Sequence, residues 1–256
     1  MARALLLLIL ALLLPRLAAA QEIVAVAANV RPAAEAAAAA YGRNSGQTLR
    51  LVFGASGNFV QQIANGAPFA LFLAADAASV DRLVALGRTV DGGQVYAVGR
   101  LALVARPDSG LGLDPRLKGL GAALAAGRVK RLSIANPETA PYGARAVEAL
   151  TAAGLIALAR PRLVTGASVG QALQFVASGA AEAGLVAESQ VQAPEVSAKL
   201  ASVRVDPALH TPLVQKMVLL RGAGPAARGF QAFLLGPEGQ AILARHGYGP
   251  PPPMNR

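Results

Sequence analysis

The chain has 256 residues, 54% of them apolar and 15% charged; this balance excludes a disordered chain and leaves room for one large domain or two smaller lobes. It has no cysteine, which excludes thiol nucleophiles, disulfides and Cys-ligated metals. The net charge of +10, from 24 basic and 14 acidic residues, is scattered: the densest basic run, Arg128-Val129-Lys130-Arg131, has no aromatic side chain on which a base could stack, which argues against nucleic acid as a partner and for a solvated surface that steers anions.

At the start of the chain, Arg3, the unbroken apolar run Ala4–Leu14, the break at Pro15-Arg16 and the small residues Ala18-Ala19-Ala20 before Gln21 have the three-part form of a secretory signal peptide. The apolar run is well short of the ~20 residues that a membrane-spanning helix takes, and no cysteine follows for a lipid anchor. Residues 1–20 are therefore expected to be removed on export to the periplasm.

From residue 23 onward, short β-rich runs alternate with alanine-rich helical ones. Strands are expected at 23–27, 49–53 and 71–74, with helices at 32–41 (proline in its first turn), 59–64 and 78–86. Two apolar runs flanking Gly99-Arg100 mark a crossing into a second lobe. There the pattern gives helix 120–126, strand 132–135, helix 144–153, strand 163–165, helix 171–178 and strand 184–186. Strands 203–205 and 213–220 are expected to return to the first lobe, and helices 226–235 and 237–246 to close the chain. The alternation predicts an α/β fold of two lobes, each a mostly parallel sheet flanked by helices, with a hinge and an interlobe cleft. Lobe I takes residues 21–102 and 205–249, lobe II 103–204, and 250–256 form a flexible tail.

Four loops share one design, in which a strand ends, small or polar residues follow and a helix begins: Ala28-Asn29, Ser56-Gly57-Asn58, Pro141-Tyr142-Gly143 and Ser168-Val169-Gly170. Ligands of open α/β sheets sit at the carboxyl ends of strands. A helix N-terminus presents unpaired N–H groups and the positive end of the helix dipole, so it binds anions without a charged side chain. Each loop by itself reads first as an ordinary capped helix start, since Asn and Ser are preferred N-caps. Together, two in each half of the chain, they point to a cleft.

Gly166-Ala167-Ser168-Val169-Gly170 also fits the G-x-S-x-G pattern of a hydrolase nucleophile elbow, with Asp206 and His210 or His246 following in the order of a triad. No HGGG-type oxyanion motif precedes it, and the chain has only two histidines, so Ser168 is expected as a helix start and the chain as no enzyme, with a serine hydrolase using Ser168 as the distant alternative. The histidines have no metal-ligand spacing.

From Ile23 to Tyr248 the sequence resembles the periplasmic molybdate-binding proteins of ABC transporters. Residues 53–76, FGASGNFVQQIANGAPFALFLAAD, carry the most specific match; Val24 to Asn29, Asn136-Pro137-Glu138 before Pro141-Tyr142-Gly143, and Arg245-His246-Gly247-Tyr248 add to it. The resemblance implies that the oxyanion ligands fall on Asn29, Ser56, Tyr142 and Val169, with Ala28 as a further backbone donor. Asn29 stands where many members have Ser. Tyr142 and Val169 would give backbone N–H, and the Tyr142 phenol a further donor. Two positions depart from the family pattern: Ala187, where some members place a Tyr hydroxyl on the anion, and Ala70, which replaces an Asp. The resemblance further implies no catalytic residues and no cofactor. Metal would enter only as molybdate or tungstate, and a monomer would hand it to an ABC transporter permease in the inner membrane. Sulfate or another tetrahedral oxyanion is the alternative cargo, to be separated from molybdate by cavity size.

Overall fold

In the computed structural model, which describes residues 21–252, the chain builds one five-stranded sheet, crosses to a second, and returns to finish the first. The signal-peptide reading of residues 1–20 and the last four residues of the expected tail lie outside the described residues. Four strands precede the crossing: β1 (Glu22–Ala27), β2 (Leu49–Gly54), β3 (Leu71–Leu73) and β4 (Gln94–Gly99). The second sheet holds β5 (Leu101–Ala105), β6 (Leu132–Ala135), β7 (Leu163–Gly166), β8 (Ala183–Ala187) and β9 (Ala201–Arg204), and β10 (Leu213–Leu219) comes back to the first.

The sheets share one plan. Their orders are β2-β1-β3-β10-β4 and β7-β6-β8-β5-β9. In each, the first three strands pair in parallel, and the fourth is antiparallel to both its neighbours. Four strands of each sheet thus run one way. β5 and β8 are buried along their whole length and hold only Ala, Leu and Val apart from Gly184, as expected of strands covered on both faces.

The helices are α1 (Arg31–Ser45), α2 (Ser56–Ala64), α3 (Ala77–Ala85), α4 (Lys118–Ala125), α5 (Pro141–Ala152), α6 (Ile156–Ala159), α7 (Val169–Ala177), α8 (Glu188–Val191), α9 (Pro194–Ser197), α10 (Pro225–Leu235) and α11 (Pro237–Arg245). Proline at the first or second position starts α1, α5, α9, α10 and α11, where its missing N–H costs nothing. Alanine sets how closely helices approach the sheets: α1 buries Ala33, Ala34, Ala37 and Ala40, and then Tyr41. The Tyr41 ring packs against Phe230 and Phe233 of α10 at centroid distances of 5.6 and 5.9 Å. Glu22 in β1 ties the returning segment to the chain's start, its carboxylate accepting the N–H groups of Gly224, Ala226 and Ala227 at 2.9–3.2 Å.

Several expectations are corrected. β5 belongs wholly to the second sheet, so the crossing falls at Gly99-Arg100 itself and not at 102/103. Of the run expected as a returning strand at 203–205, Val203 and Arg204 end β9, the edge of the second sheet, paired with β5; the return begins with β10 across the Pro207–Leu209 turn. Short β-rich runs do not reveal which sheet they join, because their partner strand is distant in sequence. Helices α6, α8 and α9, four residues each, were not expected. Gly249, the last residue before the expected tail, exchanges backbone hydrogen bonds with Val98 at 2.8 and 2.9 Å.

Candidate anion-binding site

All four loops converge between the lobes. One small cavity is lined by Ala27, Ala28 and Asn29 after β1, by Gly54, Ala55 and Ser56 after β2, by Ala75 after β3, by Ala140, Pro141 and Tyr142 at the start of α5, and by Val169 at the start of α7. The structure thus brings together all five sequence-derived candidates, Ala28, Asn29, Ser56, Tyr142 and Val169. No lining residue carries a charge.

Each contributor is placed by a strand-to-helix turn. Ser56 is the first residue of α2 and fully buried. Its Oγ accepts the Ala75 N–H at 3.0 Å; a hydroxyl has one proton to give, and this bond turns that proton away from Ala75. Val169 is the first residue of α7, whose cap Ser168 accepts the Gln171 N–H through Oγ at 3.3 Å. Tyr142 is second in α5, after Pro141. The opening N–H groups of a helix have no partner inside it, so α2, α5 and α7 direct donors and dipole ends at the cavity. Ala28 and Asn29 lie in one turn of 3-10 helix leading into α1.

Behind Asn29 lies a buried polar network that sequence reasoning missed. Asn29 Nδ2 is 3.1 Å from Gln215 Oε1 and 2.9 Å from Tyr248 Oη. Tyr96 Oη is 3.0 Å from the Ala74 carbonyl and 2.8 Å from Gln215 Oε1, and Gln215 Nε2 is 3.3 Å from Tyr142 Oη. The Tyr142 phenol expected on the anion is engaged here instead, drawn back to Gln215 because Gly99 leaves room: a methyl group at Gly99 would overlap both the Tyr142 hydroxyl and Gln215 Nε2. Burial pushes the phenol pKa values of Tyr96, Tyr142 and Tyr248 up, which keeps all three neutral. One signal was available: Gln215 interrupts the apolar run of β10, and a polar side chain in a central strand needs a partner.

The lobes touch on both sides of the cavity. Gly57 N–H of α2 donates to the Thr139 carbonyl at 2.8 Å. On the other side, Ser189 Oγ and Gln190 Nε2 of α8 donate to the carbonyls of Asn29 and Ala28 at 3.0 and 2.8 Å. Neither departure position lines the cavity. Ala187 ends β8, paired with Leu101, and Ala70 precedes β3, bonded to Ile23 and Leu220. The histidines are used elsewhere: Nδ1 of His210 lies 2.9 Å from the Thr211 carbonyl and Nδ1 of His246 2.8 Å from that of Ile242. Among the described residues, no three His, Asp or Glu side chains converge as metal ligands, and no helix is long and apolar enough to cross a membrane.

Residues 23–249 match the family model described as bacterial extracellular solute-binding protein. The chain is 41% identical over 235 residues to the molybdate-binding protein ModA of Azotobacter vinelandii, covering 90% of each. It is 39% identical over 245 residues to the ModA of Rhodobacter capsulatus, covering 94% of this chain and 92% of that one. Among solved structures, the Azotobacter vinelandii periplasmic molybdate-binding protein superposes with a TM-score of 0.81 at 32% identity, over 91% of this chain and all of the other.

Proposed function

The chain belongs to the bacterial extracellular solute-binding proteins, and from that premise we propose that it captures molybdate in the periplasm and delivers it to an ABC transporter. The observation that carries this reading is the cavity lined without charge, at which Ser56 and the first turns of α5 and α7 present neutral donors. A dianion leaving water needs its lost hydrogen bonds replaced, and bonds to a charged acceptor are roughly twice as strong as neutral ones. An all-donor site takes a fully deprotonated oxyanion and gives a protonated one no acceptor for its O–H. The relatives named for molybdate at 39–41% identity support the choice of cargo.

Tungstate, a tetrahedral dianion of the same charge, fits the same donors. The ligand set is Asn29, Ser56, Tyr142, Val169 and Ala28, with Tyr142 acting through its backbone N–H. All of it comes from one chain, which supports action as a monomer, and binding needs no resident cofactor. The Ser168 hydroxyl as a helix cap and the histidines on backbone carbonyls support a non-catalytic role. Export through the leader would place the protein where an inner-membrane permease can receive its cargo.

Thermal melting with molybdate, tungstate, sulfate or phosphate tests the reading. A ligand at a hundred times its Kd adds about 2.7 kcal/mol, which for a chain of this size raises the melting temperature by roughly 5–10 °C. Molybdate and tungstate are expected to give that shift, and sulfate and phosphate to give none. A shift with sulfate alone would transfer the protein to sulfate, and no shift with any oxyanion would overturn the reading.

A further inference from the structure

What Asn29 can give an anion is limited by what its side chain already does. The Asn29 carbonyl can only accept, so the Tyr248 hydroxyl, 2.8 Å away, points its proton there and turns its lone pairs to Asn29 Nδ2 at 2.9 Å. Nδ2 also donates to Gln215 Oε1 at 3.1 Å. An amide nitrogen has two protons, and both are spent inside the protein. The donor of Asn29 that stays out of this network is its backbone N–H, in the opening turn of 3-10 helix where such groups have no partner inside the helix.

That N–H shares a peptide with the Ala28 carbonyl. The peptide is trans and planar, so its N–H points away from whatever holds its oxygen. One lone pair of the Ala28 oxygen takes the Arg31 N–H that closes the turn, and Gln190 Nε2 of α8 takes the other at 2.8 Å. Gln190 is 7% exposed and its Oε1 is buried without a partner, so its amide is fixed through Nε2. The side chain also runs past the first turn of α7, where a methyl group at Gly170 would come within 3.3 Å of Nε2. One residue of lobe II thus holds the Ala28–Asn29 turn of lobe I and borders the turn that carries Val169, without lining the cavity itself. α8 starts at the crossing between the sheets, where the Glu188 N–H donates to the Arg100 carbonyl at 3.0 Å.

We infer that Gln190 is a positioning residue for anion capture: by holding the Ala28 carbonyl on α8 it keeps that oxygen from the anion and leaves the Asn29 backbone N–H as the donor this residue gives the ligand. This rests on the oxyanion reading above. An oxyanion takes an N–H and is opposed by a carbonyl oxygen, and one peptide presents the first or the second according to the way it faces. Because Gln190 stands in lobe II and the turn in lobe I, affinity depends on a contact between the lobes beside the crossing as well as on the donors around the anion.

The test on the exported chain reads molybdate affinity by calorimetry and the backbone amides by NMR, with ligand-free melting as the fold control. Molybdate is expected to move the Asn29 backbone amide proton downfield in the wild type. Gln190→Met is expected to weaken binding about threefold to tenfold and to reduce that move at Asn29, while the move at Val169 keeps its size. Unchanged affinity, an Asn29 amide that molybdate leaves in place, or an equal change at Asn29 and Val169 overturns the inference. A side chain that served stability alone would lower the melting point and leave affinity and the Asn29 shift at wild-type values, which overturns it as well. Should Gln190→Met not fold, Gln190→Asn, which keeps the amide but is one methylene too short for the Ala28 carbonyl, is read against the same outcomes. Wild-type protein that binds no oxyanion would instead sink the functional reading itself.

Discussion

Ser56 Oγ takes the Ala75 N–H inside a fully buried setting, which leaves its one proton for the cavity. Removing that hydroxyl has two separable consequences. Ser56→Ala is expected to lower molybdate affinity roughly tenfold to a hundredfold, the loss of one hydrogen bond to a charged group. It also strands the Ala75 N–H, and calorimetric melting of the ligand-free variant should show a loss of about 1–3 kcal/mol. If affinity is unchanged, Ser56 does not touch the anion. At this scale the sequence showed the residue types and their loops, because a small polar residue between a strand and a helix is a local pattern. It did not show what Asn29 leans on: Gln215 and Tyr248 lie 186 and 219 positions away, beyond the reach of any spacing rule.

The helices that form the site begin earlier than their apolar pattern does. α2 starts at Ser56, α5 at Pro141 and α7 at Val169, whereas periodicity suggested 59, 144 and 171. Their first turns are rich in Ser, Gly, Pro and Asn, among which Tyr142 and Val169 stand too isolated to extend the apolar period, and the opening N–H groups of such turns have no partner inside the helix. Elsewhere helix starts serve stability. Glu22 closes three N–H groups at the start of α10 from across the fold, combining a cap with a charge at the positive dipole end. Glu22→Ala is expected to cost about 1.5–3 kcal/mol and to lower the melting temperature by about 2–4 °C for each of those. Molybdate affinity should be unchanged, because Glu22 is at the opposite end of β1 from the site. A melting point equal to wild type would show that water satisfies those groups equally well.

The molecule is built as two lobes that meet around one cavity, and on one side they are joined by the backbone bond from Gly57 to Thr139. A methyl group on residue 57 would sit 2.9 Å from the Thr139 carbonyl oxygen and 3.0 Å from its Cα, so Gly57→Ala must hold the lobes apart. Ligand-free stability should stay level or rise slightly, since Ala in a helix is favoured over Gly by about 0.5–1 kcal/mol. Molybdate affinity should fall, and small-angle scattering of the saturated variant should give a larger radius of gyration than saturated wild type. Equal radii would mean that the Thr139 loop simply gives way. By itself the sequence determined the α/β class, the order of the main strands and helices and the loops that open helices, because hydrophobic period and helix-start chemistry are written in neighbouring residues. Only the tertiary structure decided that β9 stays in the second sheet, that four loops share one cavity, and that the Tyr142 phenol meets Gln215. Those outcomes depend on strand pairing and on buried polar groups finding partners across the whole chain, which neighbouring residues do not record.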